Sequence, residues 1–344
     1  MSQGDSRPPR DAETVRVGTL RAVSGRVRHG RVWVTGFVPD LMPPLALVGG
    51  TAPGPVLAVI AGLSGTETAS VEAARTLAAR LRPDDLAGTL VIVPVADVPA
   101  FRDRRARVSP LDGRRLDASF PGAPRGGPTT RLAHALDKTV LSAADAVLVL
   151  RSGSVASTSA AVATVAVEDG DDAGGAAQAA SLVLARALGL PMVVEAEPAG
   201  SVVWAARRRG AAAAAAEAGD AGRAAPAAVR RLREAALAAL GHLRMAALPA
   251  APTAAPGFFQ GRAVAAAPAD GYWRPQVRLG MAITRGDRLG LVQPLQADMA
   301  PVPVVAPADG VVVALDRGLA ASSGQALAAI ALPDLPIDDR PVAP

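Results

Sequence analysis

Residues 55–81, PVLAVIAGLSGTETASVEAARTLAARL, constrain this chain more than any other stretch. An apolar run rich in Val and Ile meets the small residues of a turn, Gly62 to Glu67, and then a segment that places Val71, Leu77, Ala78 and Leu81 on one face. That order predicts a strand, a tight turn and an amphipathic helix, the repeating unit of an α/β sheet. The C-terminal end of such a strand opens into a crevice, and the helix that follows offers free N–H groups with a positive partial charge. Ser64 and Glu67 occupy that turn and are the first candidates for chemistry.

The pattern recurs along the chain. Residues 88–95, GTLVIVPV, form a continuous apolar run suited to a strand buried on both faces. A helix is expected from residue 129, with Leu132, Leu136, Val140 and Leu141 at helical spacing, and it leads to a strand at 146–150 that ends on Arg151, Ser152 and Gly153. Further strands are expected at 161–167 and 192–195 around a helix at 176–188, with helices at 201–209 and 225–240, the last carrying Pro226 in its first turn. The alanine tract before Glu217 suits a helix by propensity but a short strand ending at Glu217 by its place in the alternation, and propensity alone leaves the two open. Upstream, β-rich runs at 20–27 and 31–38, punctuated by Gly25 and Gly30, predict an edge hairpin. Residues 100–127 carry many Arg, Asp, Pro and Gly and little periodicity, the mark of a functional or irregular loop.

Half of the 344 residues are hydrophobic, enough for a large buried core. Cysteine is absent, which excludes disulfides and thiolate metal sites, and with no apolar leader or membrane-length run the expectation is a cytoplasmic protein without a membrane role. The formal charge is +5 and the basic charge is almost all Arg, Lys138 being the single lysine. Basic clusters at 102–107 and 207–209 lack the interleaved aromatics of a nucleic-acid binder, aromatic residues making up 3% of the chain, so they read as solvated faces with room for one anion pocket. From residue 249 the composition shifts to a Pro/Ala stretch followed by short β runs. The expected organisation is a tail at 1–14, an α/β domain at 15–248, a linker at 249–260, a small barrel-like all-β domain at 261–335 and a tail at 336–344.

The loop RVSPLDGRRLDASFPGAPRGG at 107–127 resembles that of the succinylglutamate desuccinylase/aspartoacylase family, including the branch that deacetylates an ectoine-derived diaminobutyrate, whose members carry R-x-x-P-x-D-G-x-x-x-N-R-x-F-P-G. The resemblance extends along most of the chain. GLSGTE stands for the family's G-x-H-G-x-E, VLRSG for D-L-H-S-G, Glu217, Ala218 and Gly219 for Glu-Leu-Gly, and Ala306, Pro307, Asp309 and Gly310 for A-P-x-x-G. It implies a zinc-carboxypeptidase-like mixed α/β sheet flanked by helices, with the small β domain appended. It also implies zinc held by two His and one Glu, a second Glu as general base, and an N-acyl amino acid substrate. Carried over, Glu67 matches the ligand Glu, Glu217 the base, and Arg107 an Arg that binds carboxylate or the developing oxyanion. Both ligand His positions are replaced, by Ser64 and by Arg151, with Val149 where an Asp precedes the second. The loop's Asn-Arg pair, which the resemblance places at the substrate, is Asp117 and Ala118.

Zinc catalysis needs three protein ligands and an open position for water. One carboxylate without imidazole does not provide that. The chain's three histidines, His29 in a hairpin turn, His134 on a helix face and His242 at a helix end, are not placed to substitute. GLSGT also resembles a nucleophile elbow, but Thr66 stands where the second Gly is needed and no base is placed for the Ser64 hydroxyl. The expectation is therefore a pseudoenzyme with no zinc. Arg107, Asp117 and Arg151 would hold a small acylated amino acid or other zwitterion, and Arg151 would pair with Glu67 where the metal was. The chain would act in binding or in assembly, beside an active paralogue or as a homo-oligomer. The competing expectation is an active deacylase with an altered or absent metal site.

Overall fold

The computed structural model describes residues 9–104, 108–153, 157–166, 175–220, 222–248, 256–296, 298–318 and 320–333. Near the N-terminus, β1 (Arg16–Val17) pairs with β2 (Leu20–Arg21), and β3 (Arg26–Arg31) pairs antiparallel with β4 (Pro44–Gly49). The hairpin expected between 20–27 and 31–38 is thus replaced by pairings on either side of it. Residues 32–38 form a loop that buries Val32, Val34 and Phe37 and leaves Trp33 68% exposed, an alternation that imitates a strand. Pro39, Pro43 and Pro44 follow closely, and proline cannot donate to a ladder. His29 accordingly lies exposed within β3 and not in a turn.

The expected strand, turn and helix are β5 (Ala52–Ile60) and α1 (Thr68–Arg80), followed by β6 (Ala87–Val93) parallel to β5. The segment expected to be irregular opens with a short helix, α2 (Val98–Asp103), whose first turn is capped by the Asp97 carboxylate accepting the Ala100 N–H at 3.0 Å. Then come α3 (Pro128–Thr139), β7 (Ala146–Arg151), β8 (Ser157–Ala166), α4 (Gly175–Ala187), β9 (Met192–Glu197), α5 (Val202–Arg208), β10 (Ala212–Asp220) and α6 (Pro226–His242). Two apolar clusters, one on each face of the sheet, fix this layered arrangement.

Tertiary context settles the alanine tract. β10 lies between β7, which it joins in parallel, and β8, which it joins antiparallel, and Ala213 to Ala216 are fully buried there. The intrinsic preference of alanine for helix is worth well under about 1 kcal/mol per residue, less than the two ladders and the burial provide. The strand also runs past Glu217 to Asp220 through a bulge between Glu217 and Gly219.

The C-terminal strands are β11 (Gly257–Ala266), β12 (Gly271–Pro275), β13 (Ala282–Ile283), β14 (Arg288–Gln293), β15 (Val302–Val305), β16 (Gly310–Asp316), β17 (Ala320–Ala321) and β18 (Ala326–Pro333). They split between two sheets. β15, β14, β12 and β17 form a four-stranded sheet, whereas β11, β18, β16 and β13 extend the large sheet, which has twelve strands in the order β13-β16-β18-β11-β9-β8-β10-β7-β5-β6-β4-β3. β16 also pairs with β8, which closes β8, β9, β11, β18 and β16 into a five-strand barrel around Val162, Val194, Val313 and Ala331. The fold is therefore mixed α/β with a closed barrel continuous with the main sheet.

Candidate functional site

The parallel strands β5, β7 and β10 end side by side, and Glu217 of β10 is the register partner of Arg151 of β7. The turn leaving β5 begins at Gly62, whose φ of +63° lies in the left-handed region. A Cβ there would stand 3.0 Å from Val95 Cα and 3.1 Å from both Pro94 O and Val71 Cγ2. Gly62→Ala is therefore expected to lower stability by about 1–3 kcal/mol, from strain and crowding together, as read by urea unfolding. Glu67 is the residue before α1 but makes no side-chain cap, so its carboxyl is left for the crevice. The loop that follows α2 is held to the start of α3 by Asp112, which accepts the Thr129 N–H at 3.0 Å and the Thr129 hydroxyl at 2.6 Å. This anchorage helps carry Asp117 into the crevice.

Together these elements enclose a cavity of about 220 Å³ lined by Ser64, Glu67, Asp117, Arg151, Ser152 and Glu217, with Arg115 also in its wall. Arg151 donates to Asp117 Oδ2, and the same Nη2 lies 3.5 Å from Glu197 Oε2. Thr164 holds the other Glu197 oxygen at 2.7 Å. Glu217 is held separately, accepting from Ser159 Oγ at 2.6 Å and from Arg262 Nη2 at 3.4 Å. Glu67 Oε2 is buried with no hydrogen-bond partner.

Burial sets the protonation of this cluster, and the arginines modify it. Glu67 is pushed up to about 8 by desolvation, opposed by Arg151 and reinforced by Asp117 and Glu217. Glu197 is raised by burial against the pull of Arg151. Burial also acts to raise Glu217, but Arg262, the Ser159 hydroxyl and Arg151 together hold it below the usual carboxylate range. Burial works against the Arg151 charge, and Asp117, Glu197, Glu67 and Glu217 more than compensate.

Most of the residues singled out in the sequence meet here. Ser64, Glu67, Asp117, Arg151 and Glu217 line one cavity, and Arg107 lies outside the described residues. None of the three histidines lines it. The expected pairing of Arg151 with Glu67 is corrected: among the described residues no ion pair joins them, and Asp117 and Glu197 take the guanidinium. Asp117 and Glu197 stand within ion-pair distance of the guanidinium, while Glu67 meets Arg151 only through Coulombic attraction. Sequence reasoning missed Glu197, Arg262 and Ser159. Glu197 had a signal, a carboxylate closing an apolar strand as Glu217 does; Arg262 had none, because it arrives on β11 through the barrel.

This fold has known counterparts. The sequence model of the succinylglutamate desuccinylase/aspartoacylase catalytic domain matches residues 53–243, more than half of the chain. The chain belongs to that family. It is 38% identical over 100 residues to N-alpha-acetyl-L-2,4-diaminobutyric acid deacetylase of Halomonas elongata, a match that covers 29% of each chain. The product-bound structure of the ectoine utilization protein EutE (DoeB) from Ruegeria pomeroyi is similar at a TM-score of 0.80 and 25% identity, over 89% of this chain and 95% of that one. A succinylglutamate desuccinylase/aspartoacylase from Rhodobacter sphaeroides is similar at 0.75 and 26%, over 85% and 89%. Among the described residues no helix is long and apolar enough to cross a membrane.

The residues present do not fit the zinc that the family implies. The two positions that the motif resemblance matches to imidazole ligands hold a hydroxyl and a guanidinium, Glu67 is the single matching donor, and the described residues contain no group of three or more His, Cys, Asp or Glu placed to hold a metal ion.

Proposed function

We propose that this chain is a metal-free member of its family that binds a small ligand and does not hydrolyse amides. The observation that carries this reading is the Arg151 guanidinium, held by Asp117 and Glu197 inside the crevice, at the position the motif resemblance matches to the second imidazole. Arginine keeps its proton, so it supplies charge without activating water. Glu217 supports the same reading, since a carboxylate held below its usual range by Arg262 and Ser159 is a weak proton acceptor. The ligand class that follows from family resemblance is a small acylated amino acid or other zwitterion, and the setting is cytoplasmic. An assembly role beside an active paralogue, or as a homo-oligomer, is compatible with the intact scaffold; co-purification with a chain bearing the full His/Glu/His set would support it.

The competing reading is hydrolysis, favoured by the deacetylase named among the relatives and by the retained Glu217. The test is metal analysis of chain purified without added metal, joined to assays on N-acylated amino acids with and without zinc. The expected result is zinc far below one per chain and no turnover that differs between the wild type and Glu217→Gln. Stoichiometric zinc with turnover that depends on Glu217 would overturn the proposal.

A further inference from the structure

Among the described residues, the crevice holds more carboxyls than guanidiniums. Four carboxyls, Glu67, Asp117, Glu197 and Glu217, share two largely buried guanidiniums, Arg151 and Arg262. Arg115 lies 3.8 Å from Asp117, but its side chain is 54% exposed, where water and salt screen it. Buried oxygens without partners point the same way. Glu67 Oε2, Asp117 Oδ1 and Ser152 Oγ make no hydrogen bond, and Ser152, only 6% exposed, is part of the cavity wall.

These three residues come from separate elements: the turn before α1, the loop ahead of α3 and the end of β7. Leaving several buried oxygens unsatisfied is unfavourable, and one positive donor with several hydrogens would satisfy them, with Glu67 giving up its proton to accept from it. The Nε–H groups of Arg151 and Arg262 are also without partners. Their guanidinium charges are already matched by Asp117, Glu197 and Glu217, so they suit a neutral carbonyl better than an anion.

We propose that this cavity binds a small organic cation, a primary ammonium whose N–H groups are taken by Glu67, Asp117 and Ser152. The inference rests on the metal-free reading of the same site, and it replaces a zwitterion with a net cation. Isothermal titration calorimetry of the full chain, kept in chelator at pH 7, tests it with n-butylammonium chloride, sodium butyrate and tetramethylammonium chloride. Butylammonium is expected to bind saturably at one per chain. Butyrate, with the wrong charge, and tetramethylammonium, with no N–H, are each expected to bind at least about tenfold more weakly. Glu67→Gln keeps the side-chain shape and is expected to weaken butylammonium about tenfold, and Ser152→Ala severalfold. The serine variant retains a test if the glutamine one fails to fold.

Butyrate binding as tightly as butylammonium, or no binding by either, would overturn the ammonium site. A separate titration with zinc chloride in chelator-free buffer judges the metal-free reading, which one tightly bound zinc per chain would overturn. The two failures are therefore distinguishable.

Discussion

Arg151→Met is expected to destabilise the protein by about 3–5 kcal/mol at pH 8, the range seen when one partner of a buried ion pair is removed. The Arg151 side chain is 18% exposed, and its partners Asp117 and Glu197 are 15% and 4% exposed, so water solvates the carboxylates left behind only in part. Methionine retains much of the length and packing of arginine, which restricts the change mainly to charge and hydrogen bonding. The loss is expected to shrink at pH 5, where the abandoned carboxyls take up protons. Adding Asp117→Asn and Glu197→Gln to the same chain is expected to recover most of the stability at pH 8, because neutral amides need no counter-charge. Urea unfolding at the two pH values measures all of this, and a loss below about 1 kcal/mol at pH 8 would place the pair among exposed ion pairs.

Glu67→Gln is expected to act in the opposite direction. Glu67 holds its proton up to about pH 8 in the folded chain, against an ordinary value of 4.5. Between those values the native state keeps a proton that the unfolded chain has released, so stability falls as pH rises. Glutamine removes that slope. Relative to the wild type, the variant is expected to gain on the order of 2–4 kcal/mol between pH 4.5 and 9, less than the full shift would give because Glu67 borders a cavity open to water. Parallel melting curves across that range read the effect, and equal pH dependence in both proteins would show that Glu67 ionises normally. The same variant is expected to bind ammonium about tenfold more weakly, so stability and recognition make opposite demands on this one carboxyl.

Local patterns made much of the site legible. An apolar run ending on polar residues marks the C-terminal end of a buried strand, and that rule brought Glu67 and Arg151 to one crevice, while Glu217 was singled out by the motif resemblance. It applied equally to Glu197, whose strand was read only as far as residue 195. The same local reasoning failed where two patterns imitate each other. Val32 and Val34 alternate with an exposed Trp33 in a loop, and the alanines before Glu217 favour helix until two neighbouring strands claim them.

The sequence by itself determined the α/β units and the family, because these reside in residue identity and short spacing. The tertiary structure decided which carboxylate takes Arg151. Asp117 arrives from a loop anchored by Thr129, Glu197 from β9 and Arg262 from β11, through a barrel closed between β16 and β8. Charge pairing depends on distance in space, and these partners lie far apart along the chain, so no local pattern could choose among them.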